Sequence, residues 1–222
     1  MNYRNSNRRI NIIIPSRSKW LTLIHQSSDI RRIAEIYDAW GEHYEQDTMA
    51  DGYNMPAVMA GLVGRYVPHK DGPLLDVGAG TGILGDALRH LGYSNLTAID
   101  VSKGMLDVCR RRGIYRSLHR MILGTHLDFP DNSFAASLVM GVFGKGHAPP
   151  SSLNELIRIT RRNGHLIFSI RADEYLVDGF KALQDALEDK GKWNLVEATA
   201  PFNSLPLAHP GIMNMIFTYQ IL

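Results

Sequence analysis

The stretch PLLDVGAGTGILGDAL, Pro73 to Leu88, decides the fold. A short apolar run, LLDV, ends in a glycine cluster and passes straight into a helical segment, the strand–loop–helix opening of a nucleotide-binding α/β unit. The glycines fit two registers. Counting from Gly80, the glycines at 80, 82 and 85 match G-x-G-x-x-G, the fingerprint of a dinucleotide site. Counting from the strand end at Gly78, they read G-x-G-x-G, with Ile83 in the sixth position. The first register cradles phosphates; the second leaves room for a ligand that has none. The neighbouring residues have to choose.

Asp76 lies on the strand two residues before Gly78. A pyrophosphate over a helix N-terminus wants apolar strand residues there, because a carboxylate would repel it. A cationic ligand reverses the sign. S-adenosylmethionine carries a sulfonium and an ammonium and no phosphate, so an acid at this spot helps it bind. Asp100 ends the next strand, 18 residues after Gly82. A carboxylate there accepts hydrogen bonds from the ribose hydroxyls of either ligand, so it indicates a nucleoside without choosing between them. The bland alternative is a tight strand-to-helix turn with no ligand.

Outward from the loop, strands and helices alternate. IRRIAEIYDAWGEHYEQD from Ile30 spaces apolar residues by three and four, and a helix at about Pro56 to Tyr66 follows. After LLDV come a helix through Leu91, the strand LTAID, and a helix from Lys103 with Ser102 as N-cap. HRMIL and AASLVMGV read as strands three and four, SSLNELIRITRR as a helix, and GHLIFSIR as strand five. The helix DGFKALQDALEDKG leads to two strand-like runs, WNLVEATAPF and IMNMIFTYQIL. The expected class is α/β: a Rossmann-like doubly wound sheet, mostly parallel with an antiparallel C-terminal strand. The expected organisation is a basic, flexible leader over 1–28 and one domain over 29–222. Within that domain, 29–67 forms a helical cap, 73–171 the cofactor-binding core, and 172–222 a C-terminal helix and strand pair.

Composition narrows the partners. Residues 1–28 hold Arg4, Arg8, Arg9, Arg17 and Lys19 and no acid. Of the chain's 24 basic residues that leaves 19 against 22 acidic, so the body carries −3 although the whole chain carries +2. A nucleic-acid binder needs a basic surplus, so no nucleic-acid partner is expected. No run approaches the ~18 apolar residues of a membrane span. The single Cys109 forms no internal disulfide and reads as a packed helix residue in a reducing, cytoplasmic setting. The Arg-rich, acid-free leader overlaps organellar presequences in composition, with a disordered leader as the plainer reading.

LLDVGAGTGILGDAL, AIDVSKGMLDVCRRRG, LDFPDNSF and ELIRITRRNGHLIFSIR together resemble the small class I S-adenosylmethionine-dependent methyltransferases. With IYDAWGEHYEQD upstream, the chain is similar to the Williams–Beuren syndrome chromosomal region methyltransferase-like proteins over about residues 30 to 171. The resemblance implies the class I methyltransferase fold and S-adenosylmethionine as cofactor. Asp76 and the backbone of Gly78, Ala79, Gly80, Thr81 and Gly82 would hold the methionine part, Asp100 the ribose, and Val101 with Met105 the adenine. Tyr37 and Tyr44 are implied as tyrosines that close over the methionine carboxylate, against a plain core role. Three positions depart from the family pattern. Leu123, Gly124 and Thr125 stand where an acid often binds the adenine amino group, so backbone groups at Gly124 and Thr125 become the candidates. Ala135 replaces an acid, and RRNGH keeps Gly164 but lacks the usual proline.

Methyl transfer from a sulfonium is an in-line displacement whose leaving group is already good, so the protein's main work is alignment. A base matters only when the acceptor must lose a proton. His147 in GVFGKGHAPP is the catalytic candidate, with Lys145 as an anion contact; His209 and His43 are weaker. No cysteine–histidine or H-E-x-x-H cluster marks a metal. GVFGKG replaces the N-P-P-Y or D-P-P-Y often found in nucleic-acid and protein amide methylators, which favours a small-molecule acceptor. Its lid would come from 30–66, 143–152, 172–178 and 201–211. A nicotinamide-dependent oxidoreductase and a non-catalytic S-adenosylmethionine-binding protein stay open as alternatives.

Overall fold

The computed structural model describes residues 17–68, 70, 72–144 and 146–222. Most of the expected leader, with its targeting reading, and Lys145 lie outside the described residues. Three helices come first: α1 (Arg17–His25), α2 (Ile30–Ala50) and α3 (Met55–Tyr66). Then follow β1 (Leu74–Val77), α4 (Ile83–His90), β2 (Leu96–Asp100), α5 (Lys103–Arg112), β3 (Ser117–Arg120) and β4 (Phe134–Val139). The chain ends with α6 (Ser152–Ile159), β5 (Thr160–Arg171), α7 (Phe180–Asp189), β6 (Trp193–Ala198), β7 (Phe202–Asn203) and β8 (Met213–Ile221).

The strands form one sheet in the order β3-β2-β1-β4-β5-β8-β6, with β7 pairing the start of β8. Pairs from β3 to β5 are parallel. β8 runs antiparallel to both β5 and β6, so the C-terminal strand is inserted beside β5 and β6 becomes the edge. β1 is buried at all four positions, as a central parallel strand covered by helices on both faces must be. Side chains alternate across the sheet. Leu75, Val77, Phe168 and Tyr219 pack with Leu153 and Leu156 of α6 and Phe180 of α7 on one face. Leu74, Leu138, Ile167 and Ile216 pack with Met59 of α3 and Leu84 of α4 on the other.

Several boundaries differ from the sequence reading, each for a local reason. β3 lies at 117–120 instead of 119–123, because it is a half-exposed edge built of polar residues. The apolar Met121–Leu123 run that drew the strand assignment instead leaves the sheet and lines a cavity. β4 stops at Val139 because Gly141 takes a positive φ of 68° and gives its N–H to Ser169 Oγ at 2.8 Å. α6 stops at Ile159: Thr160 is extended, and its hydroxyl closes the helix on Leu156 O at 2.7 Å.

The leader needs the largest correction. Its described part, expected to be flexible to residue 28, holds the helix α1, and Trp20 and Ile24 are buried against Ile36 and Trp40 of α2. The Trp20 and Trp40 rings stack with centroids 6.1 Å apart. Aromatic and aliphatic burial thus joins this basic stretch to the body.

Candidate functional site

A cavity of about 280 Å³ opens at the carboxyl ends of the parallel strands, where open α/β sheets hold their ligands. Its floor is the glycine loop. Gly78 has φ 68°, and a Cβ there would drive into Val142 Cγ2, so the chain passes too close for any side chain. Gly80 has φ 58° and faces open space, leaving bare backbone on the cavity wall. Gly85, the third glycine of the dinucleotide register, instead makes room for the Tyr115 ring. Thr81 is 1 % exposed, and its hydroxyl has no hydrogen-bond partner among the described residues. A buried hydroxyl left like this is costly unless a ligand supplies the partner.

Asp100 stands at the end of β2 on the cavity wall. It accepts Gly80 N–H and Ser102 N–H, each at 2.8 Å, one on each carboxylate oxygen. Each oxygen keeps acceptor capacity for a hydroxyl. Burial pushes its carboxyl above the usual range, and the Ser102, Gly80 and Val101 amides pull it part of the way back. Beside it, Val101 and Met105 line the wall, and Ser102 caps α5 by accepting Met105 N–H at 3.1 Å.

The roof is α2. Asp38 on this helix accepts Ser102 Oγ–H at 2.6 Å and Gly104 N–H at 2.8 Å, gripping the N-terminus of α5. Glu42 and Glu45 pair with Arg111 and Arg112 further along the same contact. Held there, α2 presents Tyr37 and Tyr44 to the cavity. Burial, then the neighbouring Tyr44 and Asp100, hold the Tyr37 phenol far above its ordinary value, so it stays a neutral hydroxyl. His147 lines the cavity beside Tyr37, the two rings meeting edge-to-face with centroids 6.3 Å apart.

Of the residues expected from sequence, Gly78, Ala79, Gly80, Thr81, Asp100, Val101, Met105, Tyr37, Tyr44 and His147 meet around this one cavity. Asp76, Gly82, Gly124, Thr125, His43 and His209 are not on its wall. Gly82 turns toward Cys109, Ile114 and Tyr115, beneath the loop. Gly124 packs on Pro149, and Thr125 Oγ–H bonds Ile122 O at 2.8 Å; the wall there is Met121, Ile122 and Leu123. Asp76 shares Leu74's face of β1, so alternation turns it under the loop, where it accepts the Tyr115 hydroxyl at 2.6 Å. Burial, together with nearby Asp100, raises its carboxyl to about 7 against the pull of Tyr115. The sequence reading missed Tyr53, Ser169, Arg171, Glu174 and Asn214, and it missed Leu21 and Ile24 of α1. The position of Arg171 at the carboxyl end of β5 was the available signal for it. Cys109 is fully buried with its thiol directed to Gly80 O at 3.1 Å, and burial pushes it up to about 12.

All four expected lid segments supply wall residues, from Ile30 and Tyr53 through Phe143 and Glu174 to Leu205. Among the described residues no group of three or more His, Cys, Asp or Glu gathers as a metal site. No helix among them is long and apolar enough to cross a membrane.

A protein-family profile described as a methyltransferase domain matches residues 75–168. The chain is 30% identical over 178 residues to the human Methyltransferase-like protein 27, covering 76% of this chain and 71% of that one. It is 34% identical over 113 residues to the malonyl-[acyl-carrier protein] O-methyltransferase of Serratia marcescens, over 50% of this chain and 43% of that relative's length. In shape it resembles the Haloferax volcanii methyltransferase solved with the Trm112 activator, at TM-score 0.61 and 18% identity, covering 83% of this chain and 96% of that one. At that identity the likeness shows the fold alone.

Proposed function

The chain belongs to the class I S-adenosylmethionine-dependent methyltransferases, and on that premise we propose that it methylates a small molecule held inside the roofed cavity. Family membership answers the question of the two glycine registers: S-adenosylmethionine is the cofactor. The residues fit it. Bare backbone at Gly80, the partnerless Thr81 hydroxyl and the Asp100 carboxylate lie side by side on one wall. In this reading Asp100 takes the ribose hydroxyls, and Val101 and Met105 enclose the adenine. The loop from Gly78 to Thr81, with Tyr37 and Tyr44, surrounds the methionine portion. When bound, the cofactor supplies an electrophilic methyl on a sulfonium. Asp76 acts on that positive charge from beneath the loop, through its field and not by direct contact.

One observation carries the acceptor class. The cavity is covered by α2 and by loops after β4, β5 and β7, and α2 is fixed to α5 through Asp38. An acceptor must enter a roofed, largely apolar cleft, which suits a small molecule better than a duplex or a folded protein. The −3 charge of residues 29–222 supports the same choice. His147 is the group placed to take a proton if the acceptor has to lose one.

Calorimetric titration with S-adenosylmethionine, S-adenosylhomocysteine and NADH tests the cofactor side; binding of the first two and not the third is expected. Asp100→Ala should weaken both by about 10–100-fold, the loss of charge-assisted hydrogen bonds. Unchanged affinity would sink the assignment of this wall. Transfer of labelled methyl into the low-molecular-weight filtrate of a cell extract, and not into retained RNA or protein, is the result expected for the acceptor. Tyr115→Phe gives an independent check on Asp76. Losing the hydroxyl donor lets its carboxyl rise further, so the pH at which S-adenosylmethionine affinity is half-maximal should move upward. A profile identical to wild type would mean that Asp76 does not sense the ligand.

A further inference from the structure

Beyond the cofactor wall, the chamber has an apolar side. Leu21 and Ile24 from α1, Ile30 and Ile33 from α2, and Phe143 after β4 contribute aliphatic and aromatic side chains to its lining. Four of the polar side chains on the lining are already engaged within the protein. Ser169 accepts Gly141 N–H at 2.8 Å, and Asn214 donates to Ser204 Oγ at 2.7 Å. Arg171 bonds Asp173 through Nε at 3.0 Å and Nη2 at 2.6 Å. Thr48 Oγ–H is bonded to Tyr44 O at 2.8 Å. Those four offer a sugar, nucleobase or peptide little to replace its hydrogen bonds to water, whereas an apolar chain loses none.

Exposed apolar residues stand next in sequence to several lining residues. Leu176 and Val177 are 74% and 75% exposed, two and three residues after the lining Glu174. Leu207 is 75% exposed, two residues after the lining Leu205, and Met213 lies between the lining Ile212 and Asn214. Singly exposed apolar residues need no explanation, but these gather at the carboxyl end of the sheet on the loops that supply the cavity wall.

Resting on the methyltransferase reading above, we infer that the acceptor is an amphiphile: a compact head next to the cofactor wall and an apolar chain that runs along α1 and α2 and leaves over the Leu176–Val177 rim. The leader helix α1 is then a substrate-binding element, since it contributes Leu21 and Ile24 to the chamber.

A series of 4-alkylphenols, from phenol itself through butyl and octyl to dodecyl, tests this with S-adenosylhomocysteine bound. Trp20 and Trp40 report occupancy through their fluorescence, because Trp40 lines the cavity and Trp20 stacks on it. Affinity should tighten about fourfold per methylene until the chain reaches the rim, the value of burying one CH₂. The double variant L176D/V177D changes only exposed side chains. It should weaken dodecylphenol at least tenfold, leave butylphenol unchanged, and leave S-adenosylhomocysteine binding intact. Flat affinity along the series, or equal loss for all members, overturns the inference. So does rim-dependent capture by phosphatidylcholine vesicles with no chain-length trend, which would give the rim to a membrane surface. The S-adenosylhomocysteine titration is independent of all these outcomes, so failure here is distinguishable from failure of the methyltransferase reading.

Discussion

Replacing Asp76 by asparagine is expected to stabilise the ligand-free protein at pH 8 and, at the same time, to weaken S-adenosylmethionine binding. Asp76 is 3% exposed, and burial raises its carboxyl from 3.8 to about 7 in the folded chain. A raised acid pKa means that the folded state holds a proton which the unfolded state releases. Stability from this group is therefore full below pH 3.8, falls as pH rises between 3.8 and about 7, and stays lost above that. At pH 8 the protein carries the whole cost, on the order of a few kcal/mol. Asparagine has the same shape without the charge, and its Oδ1 can still accept the Tyr115 hydroxyl. Thermal unfolding at pH 8 should rise by roughly 5–10 °C, and the gain should vanish at pH 4.

The binding half of the experiment runs in the opposite direction. A cationic ligand favours the ionised carboxylate, so wild-type affinity for S-adenosylmethionine should climb as pH rises toward 7 and level off above it. Asp76→Asn should flatten that profile and cost about 10–100-fold at pH 8. The loss should be larger than for S-adenosylhomocysteine, whose sulfur is uncharged. A buried acid that destabilises the empty protein and serves a cationic ligand is a local trade of stability for function. If Asp76→Asn lowers the melting temperature at pH 8, the carboxylate has a structural partner that outweighs its desolvation, and this account of Asp76 is wrong.

The positions that the sequence predicted well are those where chemistry and local geometry coincide. Gly78 and Gly80 need positive φ, Ser102 caps a helix, and Asp100 ends a strand beside the loop. Such signals are contained within a few residues. Asp76 was legible as an acid beside a ligand loop but not as one lying beneath it, because its direction depends on which face of β1 Leu74 covers. Gly124 and Thr125 were misplaced for a related reason. The apolar run Met121–Leu123 reads as a strand, and only the pairing of β3 with β2 at 117–120 shows that it serves as cavity wall. α1 was hidden by composition: five basic residues and no acid outweighed the helical spacing of Trp20 and Ile24, and only Ile36 and Trp40 across the interface explain their burial. What tertiary packing decides, a local pattern could not supply.

Gly104→Ala gives the sharpest test of that packing, because two principles predict opposite signs. Gly104 lies in the first turn of α5, and helix propensity alone says that alanine should stabilise it by up to about 1 kcal/mol. The structure says otherwise. A Cβ at this position would stand 2.7 Å from Asp38 O, 2.8 Å from Asp38 Cα and 3.1 Å from Asp38 C. All three are backbone atoms of α2, so no rotamer change relieves them. The facing Gly41 shows how closely the helices meet, since its own added Cβ would be 3.5 Å from Gly104 C and O. To accept the methyl group, α2 must move away, breaking the Asp38 bonds to Ser102 Oγ and Gly104 N–H. Overpacking of this kind costs about 1–3 kcal/mol. The same movement lifts Tyr37 and Tyr44 off the cofactor wall, so S-adenosylhomocysteine affinity should fall by at least tenfold. Amide exchange should accelerate across α2 while β1, β4 and β5 stay protected, which separates roof opening from global unfolding. A variant more stable than wild type, with normal affinity, would show that α2 does not rest on α5 in solution, and the roofed cleft from which the acceptor class is argued would go with it.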